Sequence, residues 1–146
     1  MRGRMAKILY GTGGDYLPRI RLILTCGKVD ANQALERETV DLIIRNNMGD
    51  SRVTPLKTTA PALSNDAEFF PGMPKTWGLS FQINTESAPT GRPAGGLMWA
   101  GLANTYFWID PSTGIGGVYL SQVLPFADKK SLPLYYAFES AIYAAS

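Results

Sequence analysis

The chain has 146 residues, 45% of them hydrophobic and 18% charged, with a formal net charge of +2, one cysteine and no histidine. That suits one soluble domain with a real core. It excludes a Ser-His-Asp triad or Cys-His pair, any internal disulfide, and in practice a zinc site, and it leaves no apolar run long enough to cross a bilayer. No metal or cofactor is implied: there is no Gly-x-Gly-x-x-Gly leading into a helix, and "GTGGD" lacks the Lys and Ser/Thr of a phosphate loop.

The start is basic. Arg2, Arg4, Lys7, Arg19, Arg21 and Lys28 face only Asp15 within the first 28 residues. A basic arm can touch nucleic acid, but no aromatic or glycine pattern of a nucleic-acid module accompanies it, so a solvated face is expected. The apolar part of this start is too short for a signal peptide, and the lone Cys26 fits a reducing compartment, so a cytoplasmic location is expected.

Thr12 is placed to cap a helix, with Asp15 three residues on accepting from its open donors. Tyr16, Ile20, Ile23 and Leu24 then share a face, and Gly27 is the expected stop. Pro18 removes a donor and crowds the carbonyl of Gly14, which predicts a delayed or kinked start. Residues 35–46, "LERETVDLIIRN", read as a second helix with Val40, Ile43 and Ile44 inward and Leu35 near its entry. Residues 51–74 hold four prolines and little periodicity. They read as a long irregular connection over Phe69 and Phe70, and a loop this long is functional or belongs against a partner.

The second half changes to an extended period. Strands are expected at 77–84, at 97–109 and from Ile115 to about residue 124, joined by "ESAPTGRPAGG" and "DPSTG" as a three-stranded antiparallel meander. Leu97, Trp99, Ala103, Phe107 and Ile109 fall on one face of the middle strand. Met98, Leu102, Tyr106 and Trp108 fall on the other, so layers are needed above and below. A final helix, 131–145, would set Leu134, Phe138, Ala141, Ile142 and Ala145 on the sheet, with Pro133 tolerable in its first turn. The expected fold is therefore α+β: one domain, two N-terminal helices, an antiparallel sheet and a C-terminal helix packed on it.

The run "TWGLSFQINTESAPTGRPAGGLMWAGLANTYFWIDPSTGIGGVYLSQVLPFAD" resembles the C-terminal part of serine hydrolases of the class C β-lactamase fold, among them penicillin-binding-protein-like enzymes and family-eight carboxylesterases. "GTGGDYLPRIRLILTCGKVDANQALERETVDLI" resembles the glycine-rich turn and helices that precede it, so the likeness runs from about Tyr10 onward. Such enzymes use a Ser-x-x-Lys turn, a Tyr-x-Asn or Tyr-x-Ser motif, and a third motif on the strand flanking the site. Taken alone, Trp99-Ala100-Gly101 reads as strand packing. The resemblance makes it the third motif, with Gly101 admitting substrate close to the strand and the N–H of Leu102 as one oxyanion donor. Trp99 stands where a β-lactamase has Lys, which implies neutral ester or amide substrates. Asn104 is a further candidate polar residue of the site. Tyr119-Leu120-Ser121 fits Tyr-x-Ser formally, on the wrong element.

The other motifs are missing. No Ser has Lys three residues later, and there is no Tyr-x-Asn. The chain is therefore expected to be the C-terminal portion of a partial β-lactamase/transpeptidase-like fold. It would have no catalytic nucleophile of its own and negligible turnover alone, completed by a segment carrying Ser-x-x-Lys. A non-catalytic ligand-binding or assembly module is the alternative. An open sheet edge implies a homo-oligomer.

Overall fold

The computed structural model describes residues 11–30 and 32–146. Arg2, Arg4 and Lys7 of the basic start lie outside the described residues. Helix α1 spans Gly13–Leu24, strands β1 and β2 (Lys28–Val29, Asn32–Gln33) form a small hairpin, and α2 spans Arg37–Ile44. Five strands follow, β3 (Lys75–Trp77), β4 (Gln82–Asn84), β5 (Leu97–Gly101), β6 (Thr105–Asp110) and β7 (Ile115–Tyr119), and then α3 (Ser131–Ala144). The five are antiparallel and lie in chain order across one sheet. The fold is α+β, as expected.

Thr12 and Asp15 cap α1 reciprocally: Asp15 N–H donates to Thr12 Oγ1 and Thr12 N–H to Asp15 Oδ2. The helix starts at Gly13 and carries Pro18 inside it. At its other end Gly27 N–H reaches Leu22 O at 2.7 Å and Cys26 N–H reaches Ile23 O at 3.1 Å. That pattern satisfies two orphan carbonyls, with Cys26 in the left-handed position at φ 53° and Gly27 one residue beyond. A side chain at Gly27 would collide with Leu35 O, which is why the stop signal there is glycine.

The expected three-stranded meander has five strands, and its last strand stops at Tyr119 rather than near residue 124. Residues 77–84 and 97–109 are not single strands; each folds back as a hairpin. Gly78 turns the first, where any Cβ would meet the carbonyl of Ile43 at the end of α2. Leu102–Asn104 turn the second. The facing of side chains nevertheless survives, because β5 and β6 pair Leu97 with Ile109, Trp99 with Phe107 and Met98 with Trp108. Odd positions meet odd positions, so a hairpin and one long strand sort the same residues to the same faces. Leu97, Phe107 and Ile109 pack with Ile20, Ile23, Val40 and Ile83. Met98, Tyr106 and Trp108 pack with Phe69, Phe70 and Tyr135 on the opposite side.

The C-terminal helix departs further. Its buried residues are Ser131, Tyr135 and Glu139; of the residues expected on the sheet, Phe138 meets Trp108 edge-on at 5.5 Å, while Leu134, Ala141, Ile142 and Ala145 are exposed. Tyr135 stacks on Tyr106 at 4.8 Å between ring centroids, and Tyr136 stacks on Phe70 at 4.6 Å. Aromatic stacking and an ion pair, described below, fix the inner face, and the aliphatic Leu134 and Ile142 are left outside.

Candidate functional site

β5 carries the Trp99-Ala100-Gly101 run at its C-terminal end. On one side it is fully paired with β6, out to Gly101 opposite Thr105. On the other side β4 covers only Leu97 and Met98. Among the described residues, the margin of β5 from Trp99 to Gly101 therefore has no strand alongside it. Short edges of this kind accept an extended ligand by main-chain hydrogen bonding.

Trp99 is half-buried. Its indole meets Trp77 edge-on at 4.4 Å and Phe69 at 6.0 Å, so its orientation is set by rings on β3 and on the irregular segment 51–74. Phe69 and Phe70, expected beneath that segment, are both buried. Ala100 is half-buried. At Gly101 an added Cβ would meet only Thr105 Cβ, at an ordinary 3.6 Å. Gly116 and Gly117 of β7 differ, since side chains there would strike Ile20 and the Trp108 ring. Packing therefore requires glycine at 116 and 117 but not at 101. Leu102 lies in the turn rather than in a strand, with its side chain exposed.

Asn104 is fully buried at φ 59°. Its Nδ2 donates to Val123 O and Pro125 O, both at 2.8 Å. Its Oδ1 accepts from Tyr106 Oη at 2.6 Å and from Asp128 N–H at 3.0 Å. All four side-chain bonds of an amide are thus made inside the fold. Burial pushes the Tyr106 phenol well above its ordinary value, so it remains a donor to Asn104. Asn104 ties the hairpin turn to the segment after β7. Ser121 has the same task, its Oγ donating to Ala103 O at 2.8 Å and Asn104 O at 2.9 Å.

Two buried polar centres escaped the sequence reading. Arg92, in the loop between β4 and β5, pairs with Glu139 of α3 at 3.3 Å, both side chains at 0% exposure. The guanidinium lies 5.5 Å from the Phe70 ring and donates to Leu97 O. Burial pushes the Glu139 carboxyl up, against the pull of Arg92. The second centre is Asp110, which accepts from Ser112 Oγ and Thr113 Oγ1, both at 2.6 Å, and from Tyr143 Oη at 3.1 Å. Burial pushes its carboxyl up, but the Ser112 and Thr113 hydrogen bonds outweigh it and hold it below the ordinary value. The Asp-Pro-Ser-Thr-Gly spacing could have revealed this turn. Nothing local could have paired Arg92 with a residue 47 positions on.

A hairpinned antiparallel sheet with α1 on one face, α3 on the other and a Trp-Ala-Gly strand at a half-open edge defines the class. The chain belongs to the Beta-lactamase family, whose model matches residues 37–141. Protein Rv1367c of Mycobacterium tuberculosis is 31% identical over 123 residues, which is 80% of this chain and 28% of that protein. The chain thus spans under a third of the curated relative it matches. Among solved structures, simvastatin synthase LovD of Aspergillus terreus superposes with a TM-score of 0.68 at 23% identity, over 90% of this chain and 33% of that one. A penicillin-binding-protein homolog of Caulobacter crescentus gives 0.54 at 18%, over 85% and 30%. These likenesses establish the fold.

Proposed function

We propose that this chain supplies the strand wall of an acyl-transfer site acting on small neutral esters or amides, with Trp99, Ala100, Gly101 and Leu102 lining it. The observation that carries the reading is the unpaired margin of β5, which ends on a glycine that packing does not require. A carbonyl laid along that margin would meet main-chain donors, and Leu102 N–H is the oxyanion donor. One such donor is worth about 3 kcal/mol when charge develops on the oxygen. An indole at position 99, in place of an ammonium group, gives a carboxylate-bearing substrate nothing to pair with.

The nucleophile and its base come from a separate segment with Ser-x-x-Lys, since an unactivated hydroxyl is a weak nucleophile. Purified chain mixed with a nitrophenyl ester should show neither burst nor turnover. Mixed with a polypeptide bearing Ser-x-x-Lys from the same fold, it should restore hydrolysis, and Gly101→Val should prevent that. A covalent burst from the chain alone would contradict the division of labour. The second reading, a groove that holds an ester, amide or peptide without turning it over, draws on the absence of a Ser-x-x-Lys within these residues. It requires saturable binding with no hydrolysis even after mixing.

A further inference from the structure

Of the three tryptophans, Trp108 is fully buried, while Trp77 and Trp99 are half-buried and meet edge-on at 4.4 Å between ring centroids. Trp77 closes β3, and its main chain is fastened to the end of α2. Its carbonyl accepts from Asn47 N–H at 2.8 Å, and Leu79 N–H donates to Ile43 O at 3.0 Å. Asn47 Nδ2 in turn donates to Leu42 O and Arg45 O. The end of α2 thus sets the place of the Trp77 ring. Phe69 is locked as firmly, buried and edge-on to Tyr106 at 6.1 Å and to Phe126 at 6.2 Å. Trp99 stands between these two anchored rings.

Trp99 and Gly101 are two apart on β5, so they present to the same face. An indole wall therefore stands beside a side-chain position that glycine leaves empty. A strand rises about 3.3 Å per residue, so the wall begins roughly 7 Å from Gly101. A methyl group on a carbonyl held at Leu102 N–H falls short of that wall, and an aryl ring reaches it. Neither residues 76–85 nor residues 93–109 carry a charge. Indoles favour flat apolar partners, packed edge-on or offset.

The geometry points to a substrate whose acyl group carries an aryl ring, seated against Trp99 over Gly101, with Trp77 as the positioning residue that holds the Trp99 indole for it. This rests on the site reading above and names the substrate class within it. Trp99 makes the contact, and Trp77 acts through Trp99. A short aliphatic side chain at 77 frees the indole to turn. Selectivity for the ring is then lost, while the main-chain donors at Gly101 and Leu102 stay in place.

The test titrates two neutral probes, diethyl benzylphosphonate and diethyl methylphosphonate, into the isotopically labelled chain. Their carbon substituent on phosphorus stands where the acyl group would, and binding is followed at the backbone amides and the Trp99 indole N–H. The wild type should bind the benzyl probe about tenfold more tightly and shift the Trp99 indole only with that probe. Trp77→Leu and Trp77→Met should each bring the two affinities within about twofold, with the Gly101 and Leu102 amides still responding. Trp77→Phe keeps a ring against Trp99 and should retain most of the preference. A general loosening of the fold would weaken both probes alike, so the ratio of affinities is the readout. Equal binding of the two probes by the wild type would overturn the aryl preference. A preference that survives in whichever aliphatic variant folds would overturn the role of Trp77. Both results leave the site reading intact, whereas binding of neither probe sinks that reading and this inference with it.

Discussion

Asn104 and Gly101 sit three residues apart and illustrate opposite reasons for a residue. Asn104 is spent on the fold. Its left-handed φ costs Ala more than Asn, and its buried amide serves four partners. Asn104→Ala should lower stability by about 2–4 kcal/mol, read as a shifted urea midpoint. Asn104→Asp should be as damaging, since a carboxylate cannot donate to the carbonyls of Val123 and Pro125. Gly101 is spent on nothing inside the described fold. Gly101→Ala should leave Tm within a degree or two, roughly ±0.5 kcal/mol, while abolishing ligand contact at β5. Asp110 adds a pH test. Its carboxyl is held below the ordinary 3.8, so the folded state favours the ionised form. The stability it contributes is present above that value and is lost as pH falls through the depressed one. Urea melts at descending pH should show a shallower acid loss in Asp110→Asn than in wild type.

At the scale of elements, α3 shows where sequence patterning fails and why. Its apolar residues recur at helical spacing, and that period normally marks the buried face. Tyr135 and Glu139 win that face instead, one by stacking on Tyr106 and the other by pairing with Arg92 across the core. Both partners are remote in sequence, so no local window contains the information. The β5–β6 hairpin went the other way. Its turn was not legible, because Leu102-Ala103-Asn104 lacks a glycine signal, yet its two faces were, because pairing preserved their alternation. The capping box of α1 was legible in full, since Thr12 and Asp15 act on each other within one turn. The buried pair supports a prediction of its own. Glu139→Gln strands the Arg92 charge and should cost about 3 kcal/mol or more, whereas Arg92→Met/Glu139→Leu removes both charges and should cost far less. Equilibrium unfolding of the single and double variants decides this.

At the scale of the molecule, the described residues form a sheet covered on both faces and open at two places: the margin of β5 beyond Met98 and the edge of β7. The first is the margin on which the proposed site is built. The family membership and the α+β architecture were legible from the Trp-Ala-Gly strand and its flanking turns. An open edge was expected from the sequence, but which strand margin would lie open was not legible, because an unpaired strand has the same composition as a paired one. The most direct measurement of the central claim is a titration of the isotopically labelled chain with a small neutral alkyl phosphonate ester, a mimic of the acyl-transfer intermediate, followed by backbone amide NMR. The account predicts saturable shifts at the amides of Trp99, Ala100, Gly101 and Leu102 that disappear in Gly101→Val while its spectrum stays folded. Shifts confined to other segments, or unchanged binding by Gly101→Val, would contradict it.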